Sequence, residues 1–156
     1  ESVDIAPGRY FGERVAWTTS EARTLRIWWR DRGLAIDGLQ GLFFGLPDLN
    51  LLGEAPVRSA ALAHLDRMFA LAVELGAREL TLGSPKNRDK GQHSDETALA
   101  LGCEVFGQSA DIASRYGVVL CLEPIPKVYG GTFATDTLQT AGLVAAVGSP
   151  SFRANP

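Results

Sequence analysis

A carboxylate that directly follows a run of apolar residues is the first feature of this sequence suited to chemistry. Residues 118–122 are all apolar, and Glu123 comes next without a spacer. An unpaired carboxylate costs several kcal/mol to bury, so it is expected to be ion-paired, protonated or bound to a cation. Glu123 is therefore a candidate metal ligand or acid/base group. The alternative is a structural ion pair with Lys127 or Arg88.

Polar residues also follow two earlier apolar runs. Gln40 comes after the run 34–39, and a loop with the sequence GSPKNR comes after the run 79–82. This loop combines a hydroxyl, an amide and two cations, which suits a phosphorylated or polyhydroxylated ligand. The candidate ligand-binding residues are therefore Gln40, Ser84, Lys86, Asn87 and Arg88. The alternatives are a hydrogen bond from Gln40 to loop backbone and a solvated turn for the loop.

Three further residues carry side chains of chemical interest. His93 lies in the loop after the third apolar run, and Tyr129 precedes two glycines, where it would line the mouth of a pocket. Capping of the next helix by Ser94 or Asp95 is the alternative explanation of the His93 loop. His64 lies in the middle of a predicted helix beside its apolar stripe. We expect His64 at the flank of that stripe or on the surface.

Short apolar strands alternate with segments of helical periodicity. Strands are predicted at 3–6, 34–39, 79–82 and 118–122, with a fifth beginning at Phe152; helices are predicted to begin near Thr18, Pro56, Ser94 or Asp95, and Thr135. This alternation predicts an α/β fold with a parallel sheet of β/α units. The carboxyl ends of parallel strands share one edge of the sheet, so we expect the candidate residues to lie there.

Two architectures fit this alternation. An open, doubly wound, flavodoxin-like sheet suits a chain of 156 residues, whereas a (β/α)8 barrel typically needs about 250. Motifs that would identify other kinds of site are missing from the sequence. It has no Gly-x-Gly-x-x-Gly after the first strand, no Walker lysine motif, no Gly-x-Ser-x-Gly elbow and no His-rich zinc cluster.

The composition argues against several classes of partner. The chain is 46% hydrophobic and 21% charged, which suits a single folded domain. Its net charge of −3 argues against nucleic acid, and no apolar run approaches the roughly 18 residues of a membrane span. Cys103 and Cys121 have no metal or redox spacing and are expected to be free thiols, which favours a cytoplasmic location.

Four segments of the sequence resemble a known family. VDIAPGRYFG, GLQGLFFG, LTLGSPKNR and VVLCLEPIPKVYGGTF are similar to segments of the sugar phosphate isomerase/epimerase family, the xylose isomerase-like TIM barrels. GSPKNR and LEP would correspond to the fourth and fifth strands of that barrel. The resemblance implies that residues 1–156 form one TIM-barrel domain, incomplete at both ends, running from its second strand to its fifth or sixth.

The resemblance also implies a metal-dependent reaction. Family members hold a divalent cation, often Mn²⁺, Mg²⁺, Co²⁺ or Zn²⁺, between two glutamates, an aspartate and a histidine. Glu123 matches the first of these ligands, and the other three have no counterpart in this chain. Because hard cations take about six oxygen ligands, a lone carboxylate binds them weakly. The activity of this chain by itself is therefore left open.

The implied chemistry is proton transfer next to a carbonyl of a sugar, sugar phosphate or related polyol, through an enediolate. Glu123 would be a metal ligand and one of the acid/base groups. Gln40, Ser84 and the loop 86–88 would line the pocket for this small carbohydrate. Ile125 stands where some relatives have asparagine, which leaves the substrate contact there open.

Two alternative functions remain. One is an endonuclease for abasic DNA from the same superfamily, which the acidic charge balance disfavours. The other is a half-barrel without catalysis that binds a small ligand or forms a homo-oligomer, because open sheet edges favour self-association.

Overall fold

The computed structural model of the protein describes residues 1–12 and 14–155. The strands are β1 Ser2–Ile5, β2 Ala35–Leu39, β3 Glu79–Leu82, β4 Val119–Leu122 and β5 Phe152–Ala154. The helices are α1 Gly8–Phe11, α2 Thr19–Arg30, α3 Ala55–Leu75, α4 Asp95–Tyr116 and α5 Thr137–Val147, with 3₁₀ turns at Lys86–Arg88 and Lys127–Tyr129. None of the helices described is long and apolar enough to cross a membrane.

The strand order decides between the two predicted architectures. The five strands form one sheet in the order β1-β2-β3-β4-β5, and every neighbouring pair is parallel. A doubly wound sheet reverses its strand order at a switch point, whereas a (β/α)8 barrel keeps sequential order. Right-handed crossovers in sequential order place the helices on one side of the sheet. The barrel-type prediction is confirmed, and the flavodoxin-like alternative is wrong.

Local capping chemistry sets where the long helices begin. Thr18 and Glu21 form a capping box at the predicted start of α2, and the Ser94 hydroxyl accepts a hydrogen bond from Thr97 N at the start of α4. Helix α5 begins two residues later than predicted, at Thr137. The reason is that the cap is Asp136, whose carboxylate accepts a hydrogen bond of 2.8 Å from Gln139 N.

The two faces of the sheet have different chemistry. Leu80, Leu120 and Phe152 occupy matching positions on β3, β4 and β5 and are almost fully buried in the core. Side chains alternate between faces along a strand, so the intervening residues lie on the opposite face. That opposite face, which becomes the interior of a closed barrel, includes Glu79, Thr81, Cys121 and Arg153.

The structure corrects one expectation about the first half of the chain. His64 is buried, and its Nε2 lies 2.7 Å from the Leu42 carbonyl oxygen, so the expected flank or surface position is wrong. The segment after β2 lies over α3, and the centroids of the His64 and Phe43 rings are 5.0 Å apart. The residues after β1 form the single helical turn α1.

Candidate active site

The residues that follow the strands extend the sheet at its carboxyl edge. Gln40 N donates to Ile5 O at 2.9 Å, and Glu123 N donates to Leu82 O at 3.1 Å. Asn155 N donates to Leu122 O at 2.9 Å. These backbone hydrogen bonds hold Glu123 and Asn155 next to each other, one position beyond β4 and β5. The edge is therefore a rigid support for side chains that can meet a ligand.

The Glu123 carboxylate lies over Gly83, the residue that follows β3. A Cβ atom placed on Gly83 would lie 2.2 Å from Oε2 of Glu123. Real Cβ atoms do not approach an oxygen so closely, so the carboxylate occupies space that any other residue at position 83 would fill. The Glu123 side chain is half-buried in this place.

Arg88 contacts the same end of β4, where Glu123 lies. Its side chain is 1% exposed, and Nη2 donates a hydrogen bond of 2.5 Å to the backbone oxygen of Glu123. Burial lowers the pKa of Arg88 to about 10, and the nearby negative charge of Glu123 acts in the opposite direction. Arg88 therefore stays protonated at neutral pH.

The contact between Arg88 and Glu123 differs from the ion pair considered from the sequence. Arg88 binds the main chain of Glu123, and in the described part of the chain no Arg88 nitrogen lies within 4.0 Å of the carboxylate. Nε and Nη1 of Arg88 are buried without a hydrogen-bond partner among residues 1–12 and 14–155. Buried donors without partners are rare in proteins and call for a physical explanation.

Asn87 joins the same loop to the segment that precedes α3. Its Nδ2 donates to Leu46 O at 2.7 Å and to Leu49 O at 2.6 Å. Its backbone oxygen accepts a hydrogen bond of 2.8 Å from Leu51 N. Asn87 is 2% exposed, and its side-chain amide nitrogen joins two loops through these hydrogen bonds.

The remaining candidates lie nearer the solvent. Gln40 and Lys86 are exposed, Ser84 and His93 are half-buried, and Tyr129 is 72% exposed on its 3₁₀ turn. Within the described residues, the Arg88–Glu123 contact is the one hydrogen bond that joins two of the sequence-derived candidates. The ligand-binding roles of these residues stay predictions.

Asn155 is a site residue that sequence reasoning missed. It follows β5 in the same way that Glu123 follows β4, and its Nδ2 lies 3.3 Å from the Thr81 hydroxyl oxygen. This hydrogen bond leaves the amide oxygen of Asn155 without a partner among the described residues. The sequence does contain a signal for Asn155. A strand is predicted to begin at Phe152, and polar residues that follow predicted strands are the candidate ligand-binding residues.

One cavity among the described residues lies away from these candidates. It has a volume of about 660 Å³ and lies between α4, α5 and the segment 131–135. Its lining is largely apolar, with Leu99, Phe133 and Leu143 among its residues, and its Lys90 is already paired with Asp95. None of the candidate residues lines it. This cavity is therefore separate from the sequence-derived candidates.

The described part of the chain contains no complete metal site. Among residues 1–12 and 14–155, no group of three His, Cys, Asp or Glu side chains is placed to hold a metal ion. Glu123 offers one carboxylate and Asn155 one amide oxygen at the neighbouring strand end. Both are ligands that hard divalent ions accept, but such ions take about six oxygens.

Comparison with known proteins identifies the family. The chain matches the family described as xylose isomerase-like TIM barrel over residues 1–156. The chain belongs to this family. No curated protein sequence matches it significantly. The match agrees with the sequential parallel sheet.

Solved structures of other proteins share this fold. A D-psicose 3-epimerase crystallised in the presence of D-fructose has a TM-score of 0.78 at 22% identity, over 98% of this chain and 52% of that chain. The IolI protein with a bound zinc atom has a TM-score of 0.71 at 14% identity, over 97% and 50%. An AP endonuclease of family 2 from Brucella melitensis has a TM-score of 0.71 at 16% identity, over 99% and 56%. Such low identities show the fold alone, and the chain spans about half the length of these xylose isomerase-like relatives.

Proposed function

We propose that this chain is part of a metal-dependent isomerase or epimerase of a sugar, sugar phosphate or related polyol. The observation that carries the proposal is the Glu123 carboxylate at the carboxyl end of β4, which lies over Gly83 and forms no ion pair with any residue that the structure describes, while Arg88 contacts the main chain of Glu123. The D-psicose 3-epimerase with the same fold supports the reaction class. The IolI protein with zinc supports a divalent cation.

Within this proposal Glu123 is a metal ligand and takes part in moving a proton next to the substrate carbonyl. A bound Mn²⁺, Mg²⁺, Co²⁺ or Zn²⁺ ion would polarise that carbonyl and stabilise the negative charge that develops on its oxygen. Gln40, Ser84, Lys86 and Tyr129 offer hydrogen bonds to hydroxyl or phosphate groups from the solvent side of the edge. His93 is a further candidate for such a contact.

Proton exchange tests this function directly. The polypeptide that contains this chain is loaded with each of the four metal ions and incubated in D₂O with D-fructose, D-psicose or D-tagatose. NMR then measures deuterium on the carbons next to the carbonyl. We expect exchange that falls at least about a hundredfold in Glu123→Gln, because the substitution removes a group that transfers protons and binds the metal.

Glu104→Gln is the matched control, because Glu104 is an exposed glutamate on α4. It should leave the exchange rate unchanged. The proposal is wrong if no metal and sugar combination gives exchange, or if Glu123→Gln exchanges as fast as the unaltered protein.

A second candidate function is cleavage at abasic sites in DNA. The structural likeness to the AP endonuclease of family 2 favours it, and the net charge of −3 opposes it. Binding to abasic duplex DNA that weakens steeply between 50 and about 200 mM salt would support this candidate. A third candidate, a small-ligand-binding module that forms a homo-oligomer, predicts sugar binding without proton exchange.

A further inference from the structure

An arginine and a glutamate lie side by side at the sheet edge without forming an ion pair. Arg88 donates through Nη2 to the backbone oxygen of Glu123, so its guanidinium lies within one side-chain length of the carboxylate. Nε and Nη1 of Arg88 are free of partners among the described residues, and both are buried. A paired arrangement would satisfy these donors, so something in the structure opposes it.

The space over Gly83 explains why the carboxylate stays apart. The Oε2 atom of Glu123 lies where a Cβ atom at position 83 would stand, at a separation of 2.2 Å. Gly83 does not have a positive φ, so the backbone conformation itself does not require glycine. The glycine is needed only because its missing side chain leaves room for the carboxylate.

We propose that Gly83 and Arg88 are positioning residues for Glu123, and that Gly83 keeps the carboxylate out of an ion pair with Arg88. Arg88 fixes the main chain of Glu123 through the carbonyl oxygen. Because Gly83 has no Cβ, the Glu123 side chain has space to lie away from the Arg88 guanidinium. The carboxylate is thereby kept available for a cation or a substrate proton. This role for Glu123 rests on the proposed function, whereas its placement does not.

The proposal predicts what a methyl group at position 83 does. In Gly83→Ala the new Cβ displaces the carboxylate, and the buried donors Nε and Nη1 of Arg88, which already contacts Glu123 through Nη2, are available to it. The ion pair that forms satisfies both groups. The variant therefore folds and melts at or above the temperature of the unaltered protein, although its glutamate has turned away from the ligand side.

NMR of the isotopically labelled protein provides the test. Three-bond couplings from the backbone to Cγ of Glu123 report its χ1 rotamer, and hydrogen exchange of Arg88 Nε–H reports its bonding. In Gly83→Ala we expect a changed rotamer and an exchange rate at least about tenfold slower, because a bonded N–H is protected. In Gly83→Ala/Arg88→Met, which has no cation at position 88 to pair with the carboxylate, the new rotamer should be lost or averaged.

Gly107→Ala is the matched control, because Gly107 lies on α4 with no atom within 4 Å of an added Cβ. It should leave the Glu123 couplings and the Arg88 exchange rate unchanged. Unchanged couplings in Gly83→Ala would overturn the proposal, and so would a changed rotamer with Arg88 Nε–H exchanging at its original rate. Neither readout involves metal or sugar, so failure of the proposed function would leave the result intact.

Discussion

At the scale of single residues, the site depends on one carboxylate and on the neighbours that hold it. Glu123 could be found from the sequence, because a charged residue directly after an apolar run is unusual and the ends of parallel strands carry ligands. The burial of Arg88 could not be found, because arginine is usually exposed and no local pattern shows that it reaches the β4 end. Asn155 was missed because only the start of its strand was predicted.

His64 provides a test of residue-scale electrostatics. Burial is the main reason that the pKa of His64 is lower than its usual value of 6.5. The hydrogen bond with Leu42 O acts in the opposite direction and raises the pKa. Between the lowered value and 6.5, the unfolded chain binds a proton that the folded chain does not. Stability should therefore fall as the pH drops through that window.

Urea unfolding across a pH series measures this effect. The free energy of unfolding should fall more steeply below pH 6.5 in the unaltered protein than in His64→Gln, because glutamine keeps an N–H donor for Leu42 but does not titrate. Identical slopes in the unaltered protein and His64→Gln would show that His64 does not contribute.

At the scale of elements, the sequence predicts helix starts that depend on residues close together in the chain. It does not predict those that depend on the contacts of a more distant side chain. Thr18 and Ser94 were identified as helix starts because capping depends on residues three positions apart. The start of α5 was placed near Thr135 because Thr135 and Asp136 are both good caps. The residue at which α5 begins depends on Gln139. Its side-chain oxygen accepts a hydrogen bond of 3.1 Å from Thr135 N, and its backbone N–H donates to the Asp136 carboxylate.

Helix α5 should depend measurably on that cap. Asp136→Ala removes the acceptor for Gln139 N and is expected to lower the free energy of unfolding by about 1 kcal/mol. Asp136→Asn keeps an oxygen in the same place and should cost less than half of that. Urea denaturation of the three proteins measures both values. An alanine variant as stable as the unaltered protein would mean that the capping bond contributes nothing.

At the scale of the whole molecule, the arrangement of β/α units positions the site. The alternation of apolar runs and helical stretches predicted a parallel sheet, because each element has its own period. Periodicity does not encode which strands are neighbours, so the barrel order came from the family resemblance and was confirmed by the structure. The other metal ligands that the family resemblance implies have no counterpart in this chain, which spans about half the length of the solved structures it matches.

The most direct measurement of the central claim is paramagnetic broadening by Mn²⁺ of the amide signals of the ¹⁵N-labelled protein. If Glu123 presents a free carboxylate to a divalent cation, the amides of Gly83, Glu123 and Asn155 should broaden first as Mn²⁺ is added. In Glu123→Gln that selective broadening should disappear, with the spectrum otherwise unchanged. Broadening centred elsewhere, or broadening at these amides that survives in Glu123→Gln, would contradict the account.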